Sequence, residues 1–144
     1  MRGLTVSKIS DALAQVPLFR ELPKKAIERI EKLAHPRTFE KDHVIVKEGD
    51  EGVGFFLITS GRVQVTRGDT TLASLGPGEF FGEMALLDNY RRSATVTAAE
   101  PTETIALLRS DFIAELRSNP DLAESMLKLM SRRVRELDEK LAAV

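Results

Sequence analysis

Glycine divides this chain into three parts. Nine glycines are present; eight lie between Gly49 and Gly82, and none follows Gly82. Glycine punctuates turns and weakens helix interiors. The centre therefore reads as turn-rich and the two ends as helical. Ser7 to Val16 carries Ile9, Leu13 and Val16 on one helical face, and Pro17 stops it. A second helix starts near Pro23, runs along Ala26, Ile27, Ile30, Leu33 and Ala34, and ends before Pro36.

Between Arg37 and Arg109 the pattern changes to short apolar and alternating runs: 44–46, 55–58, 63–66, 72–75, 94–97 and 104–108. Turn residues separate them at Glu48-Gly49-Asp50-Glu51-Gly52, Ser60-Gly61, Arg67-Gly68-Asp69 and Gly76-Pro77-Gly78. Short strands with no helical pattern between them predict an antiparallel sandwich or barrel, not a doubly wound parallel sheet. After the strands, Ser110 is placed to cap a helix from Asp111 to Arg117. Asn119-Pro120-Asp121 restarts the chain as cap, proline and acid. The last helix is expected to run to about Ala142, with Leu122, Met126, Leu129/Met130, Val134, Leu137 and Leu141 as its stripe. That stripe serves either packing on the barrel or pairing with a second copy of the chain. The whole reads as one domain over 1–144: helices over 1–36, a β-barrel over 37–109 and helices over 110–144.

Composition excludes several classes. The 144 residues carry 21 Lys plus Arg against 22 Asp plus Glu, a net charge of -1. A dedicated nucleic-acid binder is usually strongly basic. There is no cysteine, which removes disulfides, zinc thiolates and thiol nucleophiles. No apolar run approaches the ~20 residues of a membrane span, and the first residues lack the apolar core of a signal peptide. The expected compartment is the cytoplasm. His35 and His43 are the two histidines, with no acidic ligand pattern beside them, so a metal-dependent barrel enzyme is not indicated. Ser93 has no histidine base in its motif. The chain reads as a non-enzyme.

The chemistry concentrates in 76–95. Gly82 precedes Glu83-Met84-Ala85-Leu86-Leu87, helix formers in a run long enough for about one turn. A helical turn after a glycine presents free N–H groups, a ready anion site. Arg91 and Arg92 follow where the chain returns to strand, and an arginine facing such N–H groups clamps a phosphate with its planar fork. Glu83 cannot hold a phosphate but accepts hydrogen bonds from sugar hydroxyls. Together these describe a site for a phosphorylated sugar. Taken singly, the Gly-Glu pair also fits a purely structural turn, and the arginine pair a solvated surface.

Phe81-Gly82-Glu83-Met84-Ala85-Leu86-Leu87, ending in Arg92-Ser93-Ala94-Thr95, resembles the phosphate-binding cassette of cyclic nucleotide-binding domains. That family includes catabolite activators, regulatory subunits of cyclic-AMP-dependent kinase and cyclic-nucleotide-gated channels. Pro17-Leu18-Phe19, Glu48-Gly49-Asp50, Phe56-Leu57-Ile58 with Gly61, and Asn119-Pro120 stand at matching places. The resemblance implies a mainly β, α+β fold: a jelly-roll barrel (double-stranded β-helix) with N-terminal helices, a cassette over 80–95 and a C-terminal lid helix. It implies cyclic AMP as ligand, with cyclic GMP as the alternative, and no cofactor. In that reading Glu83 binds the ribose 2′-hydroxyl, Arg92 pairs with the cyclic phosphate, and the amides of Met84 and Ala85 complete the anion nest. Gly82 lets the ribose approach, Val65 and Leu72 form the wall under the base, and Ser93 touches phosphate or base. Arg91 departs from the proline frequent there in kinase-type cassettes.

By the same resemblance the last helix closes over the base. An ungapped count from Arg92 places Leu137 and Asp138 at base-contacting positions, where catabolite activators use hydroxyl side chains, and brings Arg133 near the ligand. Leu137 caps the base or sits in a dimer seam. Asp138, if it reaches the base, favours guanine. The implied role is regulatory signal transduction. If complete, the chain is a stand-alone sensor acting in trans on an unknown effector or through a homodimer along its last helix. If a DNA-binding domain belongs to it, it is the sensing half of a transcription regulator. No nucleic acid or membrane contact is expected from this chain alone.

Overall fold

A computed structural model describes residues 6–16, 19–20, 22–51, 54–82, 86 and 92–142. Two helices, α1 (Val6–Leu13) and α2 (Lys24–Leu33), precede β1 (His35–Phe39), β2 (Val44–Val46), β3 (Gly54–Ser60), β4 (Val63–Arg67), β5 (Thr70–Leu75), β6 (Phe80–Phe81), β7 (Thr95–Ala98) and β8 (Thr102–Leu108). Helices α3 (Arg109–Ser118) and α4 (Pro120–Ala142) close the order. The strands form two four-stranded sheets, β1-β8-β3-β6 and β2-β7-β4-β5. Every pairing is antiparallel. The chain crosses repeatedly between the sheets, which is the jelly-roll arrangement expected from the resemblance.

The reason for two cores lies in β3. Along a strand, side chains alternate between faces. Phe55 and Leu57 point to one side and join Leu13, Val16, Phe19, Ile27, Ile30, Leu107, Phe112, Leu122 and Met126 in a core between sheet and helices. Ile58 points to the other side, into a second core between the sheets with Val63 and Val96. On that face Phe56 stacks on Phe81, ring centroids 5.1 Å apart. Both faces are covered, so β3 is a continuous apolar run and not an alternating one. Phe19 anchors the helical side, with ring centroids 5.9 Å from both Phe55 and Phe112.

The element ends deviate from expectation at identifiable points. The barrel begins at His35, not Arg37, because Pro36 sits within β1. β1 lies at a sheet edge, where proline's missing N–H costs nothing. β6 has two residues, too few to show any periodicity. Ser110 does not cap α3: β8 runs directly into the helix, Leu108 is the N-cap residue, and Ser110 lies inside the first turn. Asn119 does cap α4, its Oδ1 accepting from the Leu122 N–H at 3.4 Å, while its own N–H donates to the Glu115 carbonyl at 2.9 Å. The Arg29 Nε donates to Glu115 at 2.8 Å, tying α2 to α3. That bond holds the Glu115 carboxyl below its ordinary value.

Between β3 and β4, Gly61 has φ +89, and an added Cβ would run into the Pro101 carbonyl. The turn therefore requires glycine. Along α4, Leu122, Met126 and Leu129 are buried, whereas Val134, Leu137 and Leu141 are 59%, 59% and 74% exposed. Among the described residues, no helix is long and apolar enough to cross a membrane.

Phe19 is fully buried at the meeting of both N-terminal helices, β3 and α3. Phe19→Ala should cost about 3–5 kcal/mol, as large-to-small aromatic truncations in cores do. Urea unfolding measures it; a loss under about 1 kcal/mol would mean that this core does not depend on the ring.

Candidate functional site

Three backbone segments converge on Arg92. The first is the start of β3, where Gly54 has no room for a side chain: an added Cβ would meet the Leu107 carbonyl. The second is Gly82, directly after β6, with φ +83. A Cβ there would strike the Arg92 Nη1 and lie 2.7 Å from the Gly54 carbonyl oxygen. The third is the Glu48–Asp50 turn. It holds the Arg92 backbone at both of its polar groups. The Arg92 N–H donates to the Asp50 carbonyl at 2.6 Å, and the Gly49 N–H donates to the Arg92 carbonyl at 2.9 Å.

Backbone fixed in this way aims the side chain inward. The Arg92 Nη2 donates to the Gly54 carbonyl at 2.7 Å, and the residue is half-buried. Burial lowers its pKa from the ordinary value because the cation loses water. Guanidinium still stays charged at any physiological pH. A partly desolvated cation with further donors in its fork is a strong anion ligand. Beside it lies a cavity of about 390 Å³, lined by β2, Lys47, Asp50, Glu51 and Arg92. Its two carboxylates offer acceptors for hydroxyl groups and its β2 side chains an apolar strip.

The expected site residues divide as follows. Gly82 and Arg92 are brought into contact. Glu83, Met84 and Ala85, with Leu87 to Arg91, lie outside the described residues, as does the side chain of Arg133. Leu86, within the cassette, is fully buried in the helical core. Ser93 is exposed, and its carbonyl accepts from the Arg67 Nε at 3.0 Å. Val65 is half-buried against the inter-sheet core. Leu72 is 46% exposed, at the register shift where β4 changes from Val65↔Ala73 to Thr66↔Thr71. Leu137 and Asp138 are exposed on the distal half of α4, and neither lines the Arg92 cavity. His35 and His43 are exposed, and no group of three or more potential metal ligands occurs among the described residues.

Sequence reasoning missed Lys47, Asp50 and Glu51 as cavity residues and Glu48 and Arg67 as neighbours of the cassette. The turn at 48–52 was legible as a turn. What it faces is set by long-range pairing, which no local pattern carries.

An arginine held against a tight glycine between two strands of a jelly roll suits the binding of an anion, and residues 36–119 match the cyclic nucleotide-binding domain family. The chain belongs to that family. It is 39% identical over 130 residues to the cyclic AMP receptor protein of Thermus thermophilus, covering 87% of this chain and 60% of that one. It is 40% identical over 116 residues to a cyclic nucleotide-gated potassium channel of Rhizobium etli, covering 81% of this chain and 32% of the channel. The chain thus spans less than two-thirds of these relatives. Among solved structures, the N-terminal domain of a transcriptional regulator from Streptomyces coelicolor superposes with a TM-score of 0.79 at 28% identity, over 91% of this chain and 95% of that one. The regulatory domain of Toxoplasma gondii PKA with cAMP superposes with a TM-score of 0.68 at 29% identity, over 76% of this chain and 43% of that one.

Gly82→Ala should lower stability by at least about 1–2 kcal/mol, the cost of a left-handed backbone for a residue with Cβ. It should also push the Arg92 guanidinium off the Gly54 carbonyl. Denaturant unfolding reads the first effect. An unchanged midpoint would mean that the close approach of Gly82 to Arg92 is not a constraint.

Proposed function

We propose that this chain is a cytoplasmic regulatory module that binds cyclic AMP and has no catalytic activity of its own. The half-buried Arg92 guanidinium, held between Gly82 and the Gly54 carbonyl beside a cavity of about 390 Å³, carries this reading. Arg92 pairs with the cyclic phosphate and Glu83 accepts from the ribose 2′-hydroxyl. The amides of Met84 and Ala85 complete the anion nest, and Ser93 follows at its edge. Val65 and Leu72 lie under the base. Cyclic AMP is favoured over cyclic GMP because the Thermus thermophilus relative is a cyclic AMP receptor protein and the Toxoplasma gondii neighbour was crystallised with cAMP.

Binding works by population shift. The ligand interacts better with a state in which α4 lies over the base, and selects it. Arg133, Leu137 and Asp138 are the α4 residues that reach the ligand in that state. The apolar face of α4 supplies a partner surface as well. Leu127, Met130, Val134, Leu137 and Leu141 follow alternating spacings of three and four, the pattern of a two-stranded coiled coil. Leu127 and Leu141 are more than two-thirds exposed. A second copy of this chain fits that stripe, and an effector in trans or a further domain reads the movement of α4.

Calorimetric titration of cyclic AMP and cyclic GMP, with molecular mass measured before and after, tests the reading. Saturable binding at one site per chain is expected, with the mass of a dimer. Arg92→Ala should weaken cyclic AMP at least about 100-fold, since charge-assisted hydrogen bonds contribute about 1.5–3 kcal/mol each. Unchanged affinity would refute the phosphate assignment. Glu83→Gln should weaken cyclic AMP and leave its 2′-deoxy analogue unaffected; equal losses would refute the sugar role.

A further inference from the structure

Resting on that reading of Arg92, we propose that the tip of the β4–β5 hairpin is a positioning brace for the phosphate grip, with Arg67 and Glu48 as its positioning residues. Neither needs to touch the ligand. Arg67, the last residue of β4, donates from Nε to the Ser93 carbonyl at 3.0 Å, one residue beyond Arg92. The next residue, Gly68, donates its N–H to the Glu48 carboxylate at 3.2 Å. Glu48 in turn donates its N–H to the Thr95 hydroxyl at 3.0 Å. The hairpin tip therefore grips both segments that define Arg92: the cassette's last residues and the turn whose Gly49 and Asp50 bond to the Arg92 backbone.

The arrangement is a closed loop. It runs from Arg92 through Asp50 to Glu48, across to Gly68 and Arg67, and back through Ser93 to Arg92. Its members are drawn from three stretches far apart in sequence, so it forms only when sheet β2-β7-β4-β5 has assembled. The side-chain contacts of Arg67 and Glu48 are exposed and individually weak. Their joint effect falls on one backbone position, Arg92, whose side chain must meet a phosphate with small angular tolerance. Removing the brace lets that backbone move without disturbing either apolar core, since Arg67, Gly68 and Glu48 belong to neither.

The test combines calorimetry with amide hydrogen exchange on the full chain. Arg67→Ala and Glu48→Ala should each weaken cyclic AMP about three- to tenfold. Glu48→Gln should stay within about twofold of the parent, because an amide oxygen still accepts from the Gly68 N–H. In the ligand-free chain, exchange should quicken at the amides of Gly49 and Arg92 and stay unchanged along β3 and β8. The brace is refuted if both alanine variants bind as the parent does, if Glu48→Gln loses as much as Glu48→Ala, or if exchange quickens throughout the sheets. Should the parent chain not bind cyclic AMP at all, the reading of the site fails. The exchange pattern of the free variants then still decides whether the hairpin holds Arg92.

Discussion

Strand β3 has no solvent face. Phe55 and Leu57 are claimed by the helices; on the other face Ile58 enters the core between the sheets and Phe56 stacks on Phe81 of the neighbouring strand β6. Burying these four side chains contributes about 1.5–3 kcal/mol each. The position of β3 is therefore among the most strongly determined features of the molecule. Gly54 opens this strand, packed so closely on the Leu107 carbonyl that no side chain fits. Its own carbonyl is the acceptor for Arg92. The guanidinium is thus tied to a strand buried on both faces, and its position is set by the fold itself.

Gly82 and Gly54 clear two close approaches, Gly82 the one to Arg92 and Gly54 the one to the β8 backbone. Three groups must share a space that admits no extra carbon: a backbone carbonyl, a Cα and a guanidinium. The missing Cβ of Gly82 clears it. The cost is backbone entropy and a left-handed φ, which glycine meets without strain. A half-buried cation also has to be tolerated, and burial does pull its pKa down. The Gly54 carbonyl, accepting from Nη2, compensates part of that cost.

Much of this was legible from residues alone. The division into helical ends and a strand-rich centre followed from glycine placement and short apolar runs. Gly82 and Arg92, singled out because an anion site needs a tight backbone and a guanidinium, are brought into contact by the fold. The edge strand β1 was not visible, because Pro36 normally signals termination and its tolerance depends on lying at an edge. β6 was too short to carry a period. Ser110 looked like a cap, since Ser favours that role, but the chain enters α3 straight from β8 and leaves no place for one. The residues around Arg92 from the 48–51 turn and the hairpin tip were hidden for a different reason. Their proximity is created by antiparallel register between distant strands, and no local spacing encodes it.

Helix α4 brings two demands into competition. Its 23 residues span roughly 34 Å at about 1.5 Å per residue. The first three turns are fixed by Leu122, Met126 and Leu129. The distal turns expose Val134, Leu137 and Leu141 to water. Apolar side chains in a regular exposed row are unfavourable unless something covers them. A base-covering lid uses one or two of them, whereas a helix–helix seam uses the whole row. Leu137 lies in both sets, so the same side chain cannot serve seam and base in one arrangement of α4. If ligand and partner both engage this helix, they must compete or cooperate through its position. Under the proposed function, that shared side chain is what links binding of a cyclic phosphodiester to a change of assembly.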